Sequence, residues 1–110
     1  MKNLNTEAQI NFRFNRLNKL QAFTLVREIL GSSYEEFSEN SCYVGCVPLT
    51  GYNLDAINDY YVRQRIEIKE CDISVSVSSG LGTKTIEIPV IVNRMLKYID
   101  CKLTFTFTVL

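Results

Sequence analysis

At 110 residues, with 46% hydrophobic and 22% charged side chains, the chain has the size of one domain and the composition of a folded globular protein, which excludes disorder. No apolar run nears the ~20 residues of a spanning helix, and the polar residues 1–7 lack the apolar stretch of a secretory signal, so a cytoplasmic protein without membrane association, or a mature form whose leader is absent, is expected. Its 12 basic and 12 acidic groups cancel, and it has no histidine, which removes the usual general base and the commonest zinc ligand.

Residues 10–15 alternate apolar and polar (Ile10, Phe12 and Phe14 against Asn11, Arg13 and Asn15) and predict a half-buried strand. From Asn18 the period changes to that of a helix. Ala22, Phe23, Val26, Ile29 and Leu30 share one face, so a main helix is expected over about 18–30. Asn18 is placed to cap it, with Gln21 at the N3 position of a capping-box variant, and Gly31 to be the left-handed residue just past its end. Residues 32–41 read as an acidic loop, with room for one helical turn around Tyr34 and Phe37. A short strand over 42–47 is stopped by Pro48. A short second helix is expected over about 54–62, with Leu54, Ile57 and Tyr61 on its inner side.

The second half reads as antiparallel β. Ile66 and Ile68 share one parity and Cys71, Ile73, Val75 and Val77 the other, so a strand through both needs a break near residues 69–72. Residues 78–83, with Gly80 and Gly82, predict a hairpin loop, and Ile86, Ile88, Val90 and Val92 a returning strand interrupted by Pro89. Residues 93–98 form a connection. In the last strand Cys101, Leu103, Phe105, Phe107 and Val109 alternate with Lys102, Thr104, Thr106 and Thr108, which predicts one core face and one threonine face that is wet or an interface. The expected class is α+β: an antiparallel sheet of about four to five strands, with one main helix and a short second helix on one face of a single domain, 1–110.

Catalytic and cofactor motifs are absent. Cys42 and Cys46 invite a zinc site completed by Cys71 and Cys101, but in a continuous strand the first two lie about 13 Å apart at ~3.3 Å per residue. Tetrahedral zinc needs sulfurs roughly 4 Å apart, so buried, reduced thiols and no metal are expected. The segment 80–85 has glycines and a lysine, yet lacks the glycine before Lys84 and a following helix that a phosphate loop requires. Arg13, Arg16, Lys19 and Arg27 cluster near the first helix, and Phe12 and Phe14 could stack on bases. However, the parity of those rings marks them as core and the overall charge is neutral, so nucleic acid is not the expected partner.

One feature points to a partner of another kind. Residues 28–62 contain no lysine or arginine, but hold six acidic residues and five of the six tyrosines, leaving 12 basic against 6 acidic groups elsewhere. An acidic, tyrosine-bearing face suits a basic protein surface, because tyrosine offers contact area at low entropic cost and carboxylates steer. The candidate partner-binding residues are Glu35, Glu36, Glu39, Tyr52, Asp55, Asp59 and Tyr60. The expected function is non-enzymatic protein interaction, with no cofactor, as in a small phage or mobile-element inhibitor or adaptor. A structural subunit of a virion or other assembly, forming a homo-oligomer through exposed edges and the threonine face, is the alternative. A nucleic-acid module using the basic first-helix region is the second.

Overall fold

The computed structural model describes residues 7–37, 41–80 and 87–109. Its centre is strand β1 (Glu7–Leu17), flanked by β3 (Cys42–Pro48) and β4 (Cys71–Ser79), both antiparallel to it. Phe12 stands between Val47 and Ile73, and Phe14 between Gly45 and Cys71. All the side chains in these two rows are buried, and the two phenylalanine rings sit 5.0 Å apart. Beyond Phe14 the β1–β3 register slips by one residue before Leu17, a bulge that turns Leu17 to the core although its parity is opposite to that of Phe12. The short strand β2 (Ser33–Phe37) pairs antiparallel with β3, and β5 (Lys102–Val109) pairs with β4. The described residues form a sheet of five strands in the order β2-β3-β1-β4-β5.

Among the described residues three α-helices link the strands: α1 (Lys19–Glu28), α2 (Leu54–Arg63) and α3 (Val90–Tyr98). β1-α1-β2-β3-α2-β4 in the order 2-3-1-4 is the split βαβ arrangement, here extended by α3 and β5. Leu25 of α1, Tyr60 of α2 and Met95 of α3 enter one core with Phe14 and Ile73, so all three helices cover the same face. With that placement the three crossovers share one hand, consistent with the strong preference for right-handed connections. The opposite face, which bears Arg13, Ser74 and Thr104, is covered by no described element.

The α+β class, the strands over 10–15 and 42–47, and the first two helices agree with the sequence. Asn18 caps α1 as expected: its side chain accepts from the Gln21 N–H at 2.8 Å, while Gln21 Oε1 accepts from the Asn18 N–H at 2.9 Å. The face of α1 differs. Ala22, Leu25 and Ile29 are buried, whereas Phe23, Val26 and Leu30 are exposed. Two apolar stripes run along this helix, and the sheet accepts the one whose Leu25 drops into the space above Gly45. Gly31 has φ +87°, but α1 ends at Glu28 with an extended Ile29 as its cap, so the glycine serves the following turn. The helical turn expected around Tyr34 is instead strand β2.

The largest correction lies in the second half. The break before Cys71 is a single 3-10 turn, Ile68–Glu70, and Ile66 and Ile68 stand outside any strand. The expected returning strand is not one: residues 87–89 lead into α3, with Pro89 at its N-cap. Leu81, Gly82, Thr83 and Ile86, assigned to the loop and that strand, lie outside the described residues. α3 makes β4 and β5 neighbours in parallel, so the sheet is mixed. Ile88, Val90 and Val92 do alternate, but Ile91, Val92, Met95, Leu96 and Ile99 also follow a 3–4 spacing, and burial of Val92, Met95 and Ile99 rewards the helix.

Candidate interaction surfaces

The acidic window does not fold into one patch. Glu35 and Glu36 lie on β2, opposite Val44 and Tyr43, and so point to opposite faces of the sheet edge. Tyr52 and Asp55 sit at the start of α2, beside the end of β3, where Asn53 Nδ2 donates to the Pro48 carbonyl at 2.8 Å. Four residues of β3 separate Pro48 from Val44, about 13 Å. Glu28 and Asp59 are held by Arg63, which lies one residue beyond the window. Its guanidinium binds the Glu28 carboxylate and donates from Nε to Asp59 at 2.9 Å. Glu39 lies outside the described residues.

Tyr60 is not available to a partner. Its ring is fully buried, 4.9 Å from that of Phe14, and its hydroxyl donates to the Gln21 carbonyl at 2.7 Å. The helical spacing that put Leu54 and Ile57 inside also puts Tyr60 there, and Tyr61, expected inward, is only half-buried. Tyr52 is at the other extreme, 97% exposed with no packing around it.

The aromatic surface forms instead where α1 crosses the β2 edge. Phe23 and Tyr34 lie 5.5 Å apart, and Tyr43 completes the cluster 5.5 Å from Tyr34. Tyr43 is buried, while Phe23 and Tyr34 each keep 39% of their surface exposed. Val26 extends the apolar ground, and Lys19 sits over the Phe23 ring, 5.7 Å from its centroid. Burial, with Glu36 and Tyr34 close by, pushes the Tyr43 phenol above its ordinary value. Periodicity places Phe23 in the core of α1, but the second apolar stripe on that helix signals that one stripe must stay outside.

On the open face Asp72 is 3% exposed in the middle of the sheet. Arg13 grips it with both nitrogens of its fork, Nε at 2.8 Å, Thr104 Oγ1 donates at 2.7 Å and Asn15 Nδ2 at 3.4 Å. Burial alone would raise the Asp72 pKa, but the hydrogen bonds from Arg13 and Thr104 hold it below the usual carboxylate range. A carboxylate tied this way is a structural anion, with no proton to offer near neutral pH. It also occupies Arg13, one of the four cations of the nucleic-acid alternative, and both rings meant to stack, Phe12 and Phe14, are fully buried.

No disulfide joins any of the four cysteines, all of which lie among the described residues. Cys42 and Cys46 alternate onto the open face of β3, whereas Cys71 faces the helices. No three His, Cys, Asp or Glu side chains among the described residues are gathered as a metal would need. A cleft of about 480 Å³ at the strand ends mixes Arg16, Arg65 and Lys69 with Glu67 and Glu70, and Lys69 Nζ reaches Glu67 at 3.9 Å. Cations and carboxylates offset one another there, and nothing marks a nucleophile or a general base. Comparison with protein-family models, with curated proteins and with solved structures finds no match for this chain.

Proposed function

We propose that this protein acts by binding another protein, without chemistry of its own, through the corner where α1 meets the β2 edge. The observation that carries the reading is Tyr34: half-exposed, packed at a tilt against Phe23, on an edge strand whose two carboxylates form no ion pair among the described residues. An aromatic anchor on a rigid sheet edge is the usual centre of a recognition surface. The outer edge of β2 also leaves backbone groups for an added strand. Glu35 and Glu36 point to opposite faces, so a strand laid along β2 meets a carboxylate on each side. This arrangement favours a partner segment that carries lysine or arginine on both faces. An inhibitor or adaptor acting in the cytoplasm on a basic surface, such as one that ordinarily holds nucleic acid, fits these properties.

The test compares wild type with Tyr34→Ala and with Glu35→Lys/Glu36→Lys in capture from an extract of the source cells, followed by titration of the purified partner. Loss of a tyrosine anchor worth ~2 kcal/mol weakens binding about 30-fold. An unchanged captured set and affinity for both variants would refute the reading.

A further inference from the structure

The two edges of the sheet are built differently. β2 is five residues long and carries Glu35 and Glu36, charges of the kind that discourage indiscriminate strand pairing. β5 is eight residues long, has no proline, and holds one charge, Lys102, at its start. Its register with β4 puts Leu103, Phe105 and Phe107 on the helix side, beside Ile73, Val75 and Val77. The β4 residues are buried, yet Phe105 and Phe107 are 57% and 45% exposed, and Val109 is 57% exposed. The nine residues of α3 reach about 13 Å and the eight of β5 about 26 Å, so α3 is too short to cover the whole strand, and of its apolar side chains Leu103, at the start, is the one packed against the core. Val90, at the far end of α3, is 71% exposed there. A long apolar edge whose one charge lies at its start, with one flank left uncovered by the described residues, is unfinished as a monomer surface.

We propose that a second copy of this chain completes it, β5 pairing antiparallel with β5 about a two-fold axis to make one continuous ten-stranded sheet. The strand's own sequence selects this occupant. When Phe105 of one copy lies opposite Phe105 of the other, Leu103 meets Phe107, Thr104 meets Thr106, and Lys102 meets Thr108. Every directly opposed pair along the centre is aromatic–aromatic, aromatic–aliphatic or threonine–threonine, the classes that stabilise neighbouring strands. Phenylalanines fall on the helix side of both copies and threonines on the open side, so each copy extends the other's core and its polar face in phase. The two Lys102 residues end about 20 Å apart, beyond the ~8 Å screening length, and no like charges meet. The pairing is isologous and closes at two copies. It uses a surface on the opposite edge of the sheet from Tyr34, so it stands or falls apart from partner recognition at α1–β2.

The test is solution mass by light scattering across a wide concentration range, for wild type and for Phe105→Lys, with thermal melting of both as the check on folding. A wild-type mass rising from 12.6 kDa to twice that value, with Phe105→Lys remaining monomeric and cooperatively folded, is the expected result. A wild type that stays monomeric, an unchanged dimer in the variant, or an open-ended assembly would overturn the proposal. If Phe105→Lys does not fold, Phe105→Cys decides: opposed residues across the axis should oxidise to a linked dimer. Linkage no faster than that of Tyr52→Cys, at an exposed site elsewhere, would overturn it.

Discussion

Gly45→Ala tests the packing on which the recognition corner depends. Gly45 pairs with Phe14 on one side and Tyr34 on the other, and its missing side chain is what lets α1 settle onto β3. A Cβ built there would lie 2.4 Å from Leu25 Cδ2 and 2.9 Å from Leu17 Cδ1. Ordinary carbon contacts are 3.5–4.0 Å, so the two methyls must withdraw by more than about 1 Å and about 0.6 Å. Both leucines are almost fully buried, so relief means off-rotamer side chains or a shift of α1, at a cost of about 2–3 kcal/mol. Gly45 has no positive φ, and alanine in a strand recovers ~0.5–1 kcal/mol of backbone entropy. The net loss is about 1–2 kcal/mol, or roughly 4–16 °C in Tm for a domain of this size. Leu25→Ala alone should cost about 2–5 kcal/mol through its cavity. The double variant should lose less than the two singles together, because the new methyl occupies space the leucine leaves. Urea denaturation of the four proteins gives the cycle. A neutral or stabilised Gly45→Ala, or strict additivity with Leu25→Ala, would refute the close approach of α1 to β3 and with it the placement of Phe23 beside Tyr34.

Asp72→Asn should cost about 2–3 kcal/mol at neutral pH, since it leaves the partly buried Arg13 without its counter-charge. Because the folded pKa of Asp72 is depressed, its stabilisation is fully present above the unfolded value of about 4 and is lost as pH falls through the lower folded value. Urea midpoints for wild type and variant should therefore converge only in acid; a constant gap down to strongly acidic pH would contradict the ion pair. Tyr60→Phe removes one hydrogen bond to the Gln21 carbonyl and should cost about 0.5–1.5 kcal/mol with the fold unchanged, and no loss of stability would place the hydroxyl in water instead. Burial pushes the Cys71 thiol to about 12 and the Cys101 thiol to about 11, so thiol titration of the native protein near pH 8 should leave both unreacted until denaturant is added. Prompt modification of Cys71 in the native state would contradict its packing.

Much of the fold was legible because local signals and burial agree in it. Asn18 and Gln21 announce the start of α1, the alternation around Phe12 announces β1, and Leu54 and Ile57 set the inner face of α2. Where two patterns coexist, tertiary contacts decide. Ile88, Val90 and Val92 alternate like a strand, but lose to the helical spacing of Val92, Met95 and Ile99 once β4 and β5 need a crossover helix. The exposed half of β5 was hidden for a related reason: alternation shows which residues share a face, but not whether a neighbour is long enough to cover it. The candidate site fared similarly. Tyrosines close in sequence were separated by the fold, Tyr60 inward and Tyr52 outward, and the −6 window lost two of its carboxylates to Arg63, one position past its end. Tyr34, Glu35 and Glu36 remain together only because residues 33–37 form an edge strand, which their polar composition did not suggest.

The most direct measurement of the recognition surface is amide hydrogen exchange on the purified complex against the free protein. New protection in β2 and α1, with the Phe23–Tyr34 corner most affected and β5 unchanged by the partner, is the predicted result. Protection confined to the open face of the sheet or to β5, with residues 19–37 exchanging as in the free protein, would contradict it.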